Sequence, residues 1–365
     1  MGEQFELGLK TPQSDWAAAA EIRSARNVPA LIVQDQKPGS GALRLRAQKA
    51  QPPLLPLNAV AFDAFRLTVV QCRWHIVANV APTVERRDVE ALHQLRVGLR
   101  RLRVALSSFG GEFRTPQIEA VKLRAKSLAS GLAPARDLDV FTRELLEPAA
   151  SANGSREAFD LLRARAEAAR RDAWDDAVAQ IAGPRFRIFM ADLGEIIDHG
   201  IGPPSRPRGK GTGSSVLAME LPARKVAERM LTHRQRQACR RARHLDSLSV
   251  GERHALRISL KKLRYTAEFF APLFERGAVQ KFGGRLSRMQ DILGTVNDLA
   301  VAKNILEALI LADDERGAAN SGISFAGGMV YGWHLERADH AWRDAIRRWK
   351  KFAGTREFWL TGTAQ

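Results

Sequence analysis

Two stretches of the chain, HQLRVGLRRLR from His93 to Arg103 and HALRISLKKLR from His254 to Arg264, lie 161 residues apart and align without a gap. His93 matches His254, Arg96 matches Arg257, Arg100 matches Lys261, Arg101 matches Lys262 and Arg103 matches Arg264. Leu95, Leu99 and Leu102 match Leu256, Leu260 and Leu263, and Phe109 matches Phe270. A second pair, LAPARDLDVF from Leu132 and LGTVNDLAVA from Leu293, keeps the 161-residue offset and sets Asp137 against Asp298. One offset shared by separate segments marks an internal repeat, which restricts the chain to a duplicated architecture.

The repeated unit reads as helical. At about 100° per residue, offsets of 0, 3, 7 and 10 fall within a sector of roughly 80°. His93, Arg96, Arg100 and Arg103 therefore share one face, and Leu95, Leu99 and Leu102 occupy its neighbour. One face can pack while the next concentrates positive charge. From Asn58 onward apolar residues recur at helical spacing. Helices are expected at about 58–82 (stopped near Pro82), 89–109 (ended by Gly110-Gly111), 116–130, 136–147, 155–182 and 185–198. HGIGPPSRPRGKGTGSS follows as a flexible connector, without the full spacing of a phosphate loop. Helical patterning then resumes from about 216 to 352. Residues 1–57 differ: FELGLK alternates like a strand, DWAAAAEIRSAR reads as a helical patch, and a proline-rich basic stretch follows. The expected fold is all-α, with two pseudo-symmetric helical bundles from an internal duplication and a short N-terminal α/β fragment. The expected boundaries are 1–57, 58–200, 201–215 and 216–360.

The formal net charge of +17 calls for a polyanionic partner: nucleic acid, an acidic membrane surface or an inorganic polyanion. No run of about 18 apolar residues exists to insert in a membrane. The N-terminus lacks a basic region followed by an apolar run, so a cytoplasmic location is expected. Cys72 and Cys239 lie in no Cys-x-x-Cys pair and are expected to be free, buried or half-buried thiols. His233 and His244, eleven residues apart, share no helix face, so no metal site or other cofactor is expected.

The sequence from His93 to Arg103, followed by RDLDV at Arg136 and LGTVND at Leu293, resembles the CHAD family, the conserved-histidine α-helical domains. GPRFRIFMADL (Gly183 to Leu193) and KKFAGTREFW near the C-terminus carry the same likeness, which covers about 58–360. The resemblance implies two helical bundles around a basic channel, and inorganic polyphosphate as ligand. FELGLKTPQSDW and the residues after it resemble the last part of a CYTH, or triphosphate-tunnel, domain. A tunnel needs a closed barrel of strands, which one candidate strand cannot form. Glu3, Glu6 and Lys10 thus read as leftovers of a lost catalytic domain.

Polyphosphate has no bases to read and no faces to stack on, so it needs closely spaced cations with few aromatics. Arginine offers a planar fork for two phosphate oxygens, and lysine a mobile point charge. The expected polyphosphate-binding residues are His93, Arg96, Arg100 and Arg103 in the first copy and His254, Arg257, Lys261 and Arg264 in the second. Lys122, Arg124, Lys126 and Arg136 are expected to join the first set, and Arg285 and Arg288 the second. Asp137 and Asp298 are read as structural, either capping a helix or orienting a groove arginine. Arg101 and Lys262 would flank the groove or face water, and Trp333, Trp342 and Trp349 would pack into the second bundle. Both histidines are expected to take up protons on binding, because surrounding arginines disfavour their charged form until a phosphate arrives.

The expected function is non-catalytic polyphosphate binding, targeting the protein to polyphosphate granules. The first alternative is a basic helical nucleic-acid-binding protein. It has the charge but no helix-turn-helix, zinc-finger or ribonucleoprotein aromatic signature, so incidental nucleic-acid contact is the weaker form of it. An enzyme on polyphosphate or a triphosphate is the second. It would need carboxylates facing the cations, and Asp137, Asp139 and Asp298 are few. Oligomeric state is not written in the pattern.

Overall fold

The computed structural model describes residues 46–109, 115–153, 156–198, 220–311 and 317–360, and among these the fold is all-α. The α/β elements expected in residues 1–45, the glycines at 110 and 111, and the connector at 201–215 lie outside the described residues.

The first half comprises α1 (Ala61–Val77), α2 (Val80–Arg86), α3 (Val89–Ser108), α4 (Pro116–Gly131) and α5 (Ala133–Val140). A π-helical turn, Phe141–Leu146, leads into α6 (Glu147–Asn153), α7 (Arg156–Ala182) and α8 (Pro184–Asp198). The second half comprises α9 (Ala223–Arg241), α10 (Val250–Phe270), α11 (Arg276–Leu311) and α12 (Gly317–Ala353). No described helix is long and apolar enough to cross a membrane.

The two stripe-bearing helices start at sharp caps. Asp88 accepts hydrogen bonds from the Glu90 and Ala91 amides, at 2.8 and 3.0 Å, and opens α3. Ser249 and Glu252 form a reciprocal capping box that opens α10. Leu92, Leu95, Leu99, Leu102 and Leu106 are fully buried along α3, as are Leu256, Leu260 and Leu263 along α10. Each such leucine contributes about 1.5–3 kcal/mol by leaving water.

Gly98 sits where α3 crosses α1. A Cβ there would lie 2.8 Å from Cγ1 of Ile76. Gly98→Ala is therefore expected to cost about 1–3 kcal/mol through overpacking. Urea unfolding would show this as a lower midpoint at unchanged slope. An unchanged midpoint would mean that the crossing tolerates the methyl group.

The halves meet closely. Phe109 and Phe270, matched by the repeat, touch each other with ring centroids 5.5 Å apart, and Phe65 lies 5.4 Å from Phe109. The Ala61 amide donates to Leu221 O and the Ala223 amide to Ala59 O, both at 2.8 Å. One apolar core runs from α1 through α3, α4 and α8 into α9, α10 and α11. The expected two bundles are thus not separately packed, because the inner faces of α3 and α10 bury against the other half. A second core lies under the π turn, where Phe141, Leu146 and Phe159 meet Leu306, Ile323 and Val330.

Several expectations need correction. The helix expected over 58–82 breaks after Val77. The Asn79 side chain ties the break down, donating to His75 O at 2.8 Å and Gln48 O at 2.9 Å and accepting from the Gln48 amide. Pro82 does not stop a helix; it lies in the first turn of α2, where an amide has no partner within the helix to lose. The helix expected over 136–147 is α5, the π turn and the start of α6. Pro134 lies in the first turn of α5, where the chain departs from α4. Thr295 holds the matching place inside α11, which runs unbroken. Trp333 is 49% exposed whereas Trp342 is 6% exposed, since nine residues put them on opposite sides of α12. Trp342 packs beneath the Arg253 guanidinium, 4.1 Å from the ring centre.

Candidate anion-binding site

The stripes of α3 and α10 converge on one region, with α5 and α11 beside it. His93 senses Arg136, Arg100, Arg96 and Lys261. Lys261 senses Arg100, Arg257 and Arg96. Asp137 and Asp298 are the carboxylates coupled to this group. Cations from both halves thus outnumber the carboxylates among the described residues that reach them, Asp137, Asp298 and Glu144.

The electrostatic consequences are large. Burial, reinforced by Arg136, Arg100 and Arg96, pushes His93 down to about 3. Burial, reinforced by Arg100 and Arg257, pushes Lys261 down to about 6. Arg96 and Arg257 are also lowered, chiefly by burial. Burial raises the Asp298 carboxyl against the opposing pull of Arg257 and Lys261.

Some of these cations are held by the protein and some are not. Arg96 Nη1 donates to Asp137 Oδ1 at 3.2 Å and to Ala133 O at 3.3 Å, so Asp137 orients an arginine and does not cap a helix. Arg136 lies 4.0 Å from Glu144. The buried Nε atoms of Arg100 and Arg257 have no hydrogen-bond partner among the described residues. A buried donor left unpaired costs about 1–3 kcal/mol, so this is where an added acceptor would gain most.

The two histidines are not equivalent. His254 is exposed, and its Nδ1 lies 2.8 Å from Asn297 Oδ1. Asn297 holds the place that Arg136 holds in the first half. A neutral amide therefore meets one histidine and a cation the other.

Other expected site residues lie apart from the cluster. Lys122 pairs with Glu119 at 2.6 Å, Arg124 pairs with Asp192, and Lys126 is exposed. Arg264 donates to Glu268 at 2.7 Å and to Gln290 at 3.2 Å. Arg285 donates to Thr355 Oγ1 at 2.9 Å, and Arg288 to Gly284 O at 3.2 Å. Lys122 and Arg288 are thus engaged by acceptors on their own helices, Arg264 by one on its own helix and one on α11, and Arg124 and Arg285 by groups from other elements. Arg101 neither flanks the groove nor faces water. It is 3% exposed, pairs with Glu268 of α10 and lies against the rings of Tyr265 and Phe269. Asp139 is structural, accepting from Arg170 at 2.6 Å and from the Trp174 indole at 3.2 Å.

The cationic region continues past the cluster. Arg103 senses Arg100, and Lys262 senses Arg234, Arg103 and Arg241. Arg234 and Arg241 come from α9 and belong to neither repeated motif. Their only trace in the sequence is the arginine density of that helix.

A model of the CHAD domain matches residues 69–307. The match covers most of the chain, and the protein belongs to the CHAD family. The crystal structure of the CHAD domain from the plant Ricinus communis is similar, with a TM-score of 0.72 and 25% identity, over 86% of this chain and 98% of that one. PptA from Streptomyces chartreusis shares the fold, with a TM-score of 0.55 and 15% identity, over 79% of this chain and 100% of that one. No curated protein matches.

Proposed function

We propose that the protein binds inorganic polyphosphate, without hydrolysing it, in the cationic region between α3 and α10. The unpartnered buried Nε atoms of Arg100 and Arg257 carry this reading. They are fixed donors among like charges, and a chain of phosphates offers acceptors and countercharge together. On this reading the two halves are a duplication, which sets one cationic helix against its copy. The N-terminal residues resemble the last part of a triphosphate-tunnel domain, and binding would place the protein at polyphosphate granules.

The test is a titration of long polyphosphate into the intact protein at several salt concentrations, with duplex DNA as competitor. Steeply salt-dependent binding that excess DNA does not displace is expected, with the polymer keeping its length throughout. Displacement by DNA at equal phosphate concentration would favour the nucleic-acid alternative. Shortening of the polymer would contradict the non-catalytic role.

A further inference from the structure

The α9 helix carries a second cationic stripe, on the side away from the core. Arg229, His233, Arg236 and Arg240 follow one another at intervals of four, three and four residues, and all are exposed. Those steps fall within a sector of roughly 60°. Leu231, Gln235 and Ala238 bury the opposite side of the same helix. Arg234 and Arg241, which face the central cations, lie well off this stripe, so the two regions are distinct faces of α9.

The stripe is walled. The C-terminal segment runs alongside α9, and the Trp359 indole donates to Thr232 Oγ1 at 3.0 Å. Between helix and segment lies an open cavity of about 1030 Å³, lined by the four stripe residues together with Arg243, Glu228 and Leu360 among others. Glu228, its acidic lining residue, is drawn toward Arg224 at 3.5 Å. Among the described residues no Phe, Tyr or Trp lines the cavity. A single-stranded nucleic acid, which gains most from stacking on such rings, is less favoured there. A flexible polymer of phosphates needs only the row of cations.

We propose that this cavity is a second, outward-facing site for polyphosphate, so that one protein molecule engages the polymer at two separate places. The proposal rests on the reading of the central site as a polyphosphate site. Its consequence is bridging. A protein with one inward and one outward site can join two chains, or two stretches of one chain, and gather the polymer into a condensed phase.

The experiment uses the full chain and short polyphosphate of uniform length, titrated by calorimetry, with light scattering on long polymer. The outer variant is Arg229→Ala, Arg236→Ala and Arg240→Ala. The central variant is Arg100→Met and Arg257→Met. A third variant, Arg337→Ala, Arg343→Ala and Lys350→Ala, removes the same charge from exposed positions on α12.

Two binding events are expected for the unaltered protein and for the α12 variant. The outer variant should keep the first event and lose the second, with a loss of bridging by long polymer. Because its changes are exposed, its helicity and melting temperature should hold. The proposal is overturned if the outer variant keeps both events, if the α12 variant loses the second event equally, or if a single-stranded oligonucleotide displaces polyphosphate from the outer site. Loss of the first event in the central variant reports on the central reading alone. Its absence would contradict that reading and leave the outer site to be judged by its own variant.

Discussion

Arg100→Met and Arg257→Met together are expected to weaken polyphosphate binding by roughly 10²–10⁴-fold, because each charge-assisted hydrogen bond is worth about 1.5–3 kcal/mol. The same pair is expected to raise the melting temperature of the free protein by a few degrees. Methionine keeps much of the buried volume and removes a donor without a partner. It also relieves repulsion acting on Lys261 and His93. Opposite signs for binding and stability are the mark of a site kept under strain for a ligand. Denaturation scans and titrations on one preparation would check both. A fall in stability alongside the fall in affinity would mean that these arginines belong to a satisfied structural network.

The second large effect concerns pH. Lys261 titrates at about 6 in the free protein, against an ordinary value of 10.5, so it is mostly neutral above neutral pH. A bound phosphate chain restores its proton. Binding should then take up about one proton near pH 7.5, and affinity should fall by up to tenfold for each pH unit above about 6. His93, held at about 3, adds uptake only in more acidic solution. Proton uptake near neutrality is thus expected of the lysine, a group not named when His93 and His254 were expected to take up protons on binding. The stability of the free protein follows the same groups. Between about 6 and 10.5 the unfolded chain carries a proton on Lys261 that the folded one lacks. Free-protein stability should therefore rise with pH across that window, and bound polyphosphate should flatten the rise. Calorimetry in two buffers of different ionisation enthalpy measures the uptake directly. Lys261→Met should abolish it, and uptake that survives this change would assign the proton elsewhere.

Much of this arrangement was legible in the residues. The offset that pairs His93 with His254 also pairs the first residues of α3 and α10, Val89 and Val250. Helical periodicity placed Arg96 and Arg100 on one face, and there the structure puts them beside their counterparts. What periodicity could not show is which cations are already engaged. Arg264 meets Glu268 one turn away, but Arg124 meets Asp192 from α8, and Arg101 meets Glu268 from the other half. Those partners are set by packing between distant elements, about which spacing along one helix is silent. The inequality of His93 and His254 was half visible, in the change from Arg136 to Asn297. Arg234 and Arg241 were invisible as site residues, because they enter from a helix outside the repeated motif. The buried leucine faces are local, so they were the easiest to read. The break at Asn79 depends on Gln48, thirty-one residues earlier, and so was missed.

The most direct measurement is a crystal structure of the protein grown with a short polyphosphate. Binding between α3 and α10 predicts phosphate oxygens within hydrogen-bond distance of Arg100 Nε, Arg257 Nε and Lys261 Nζ. Polyphosphate found only elsewhere, with this cationic region empty at saturating ligand, would contradict it.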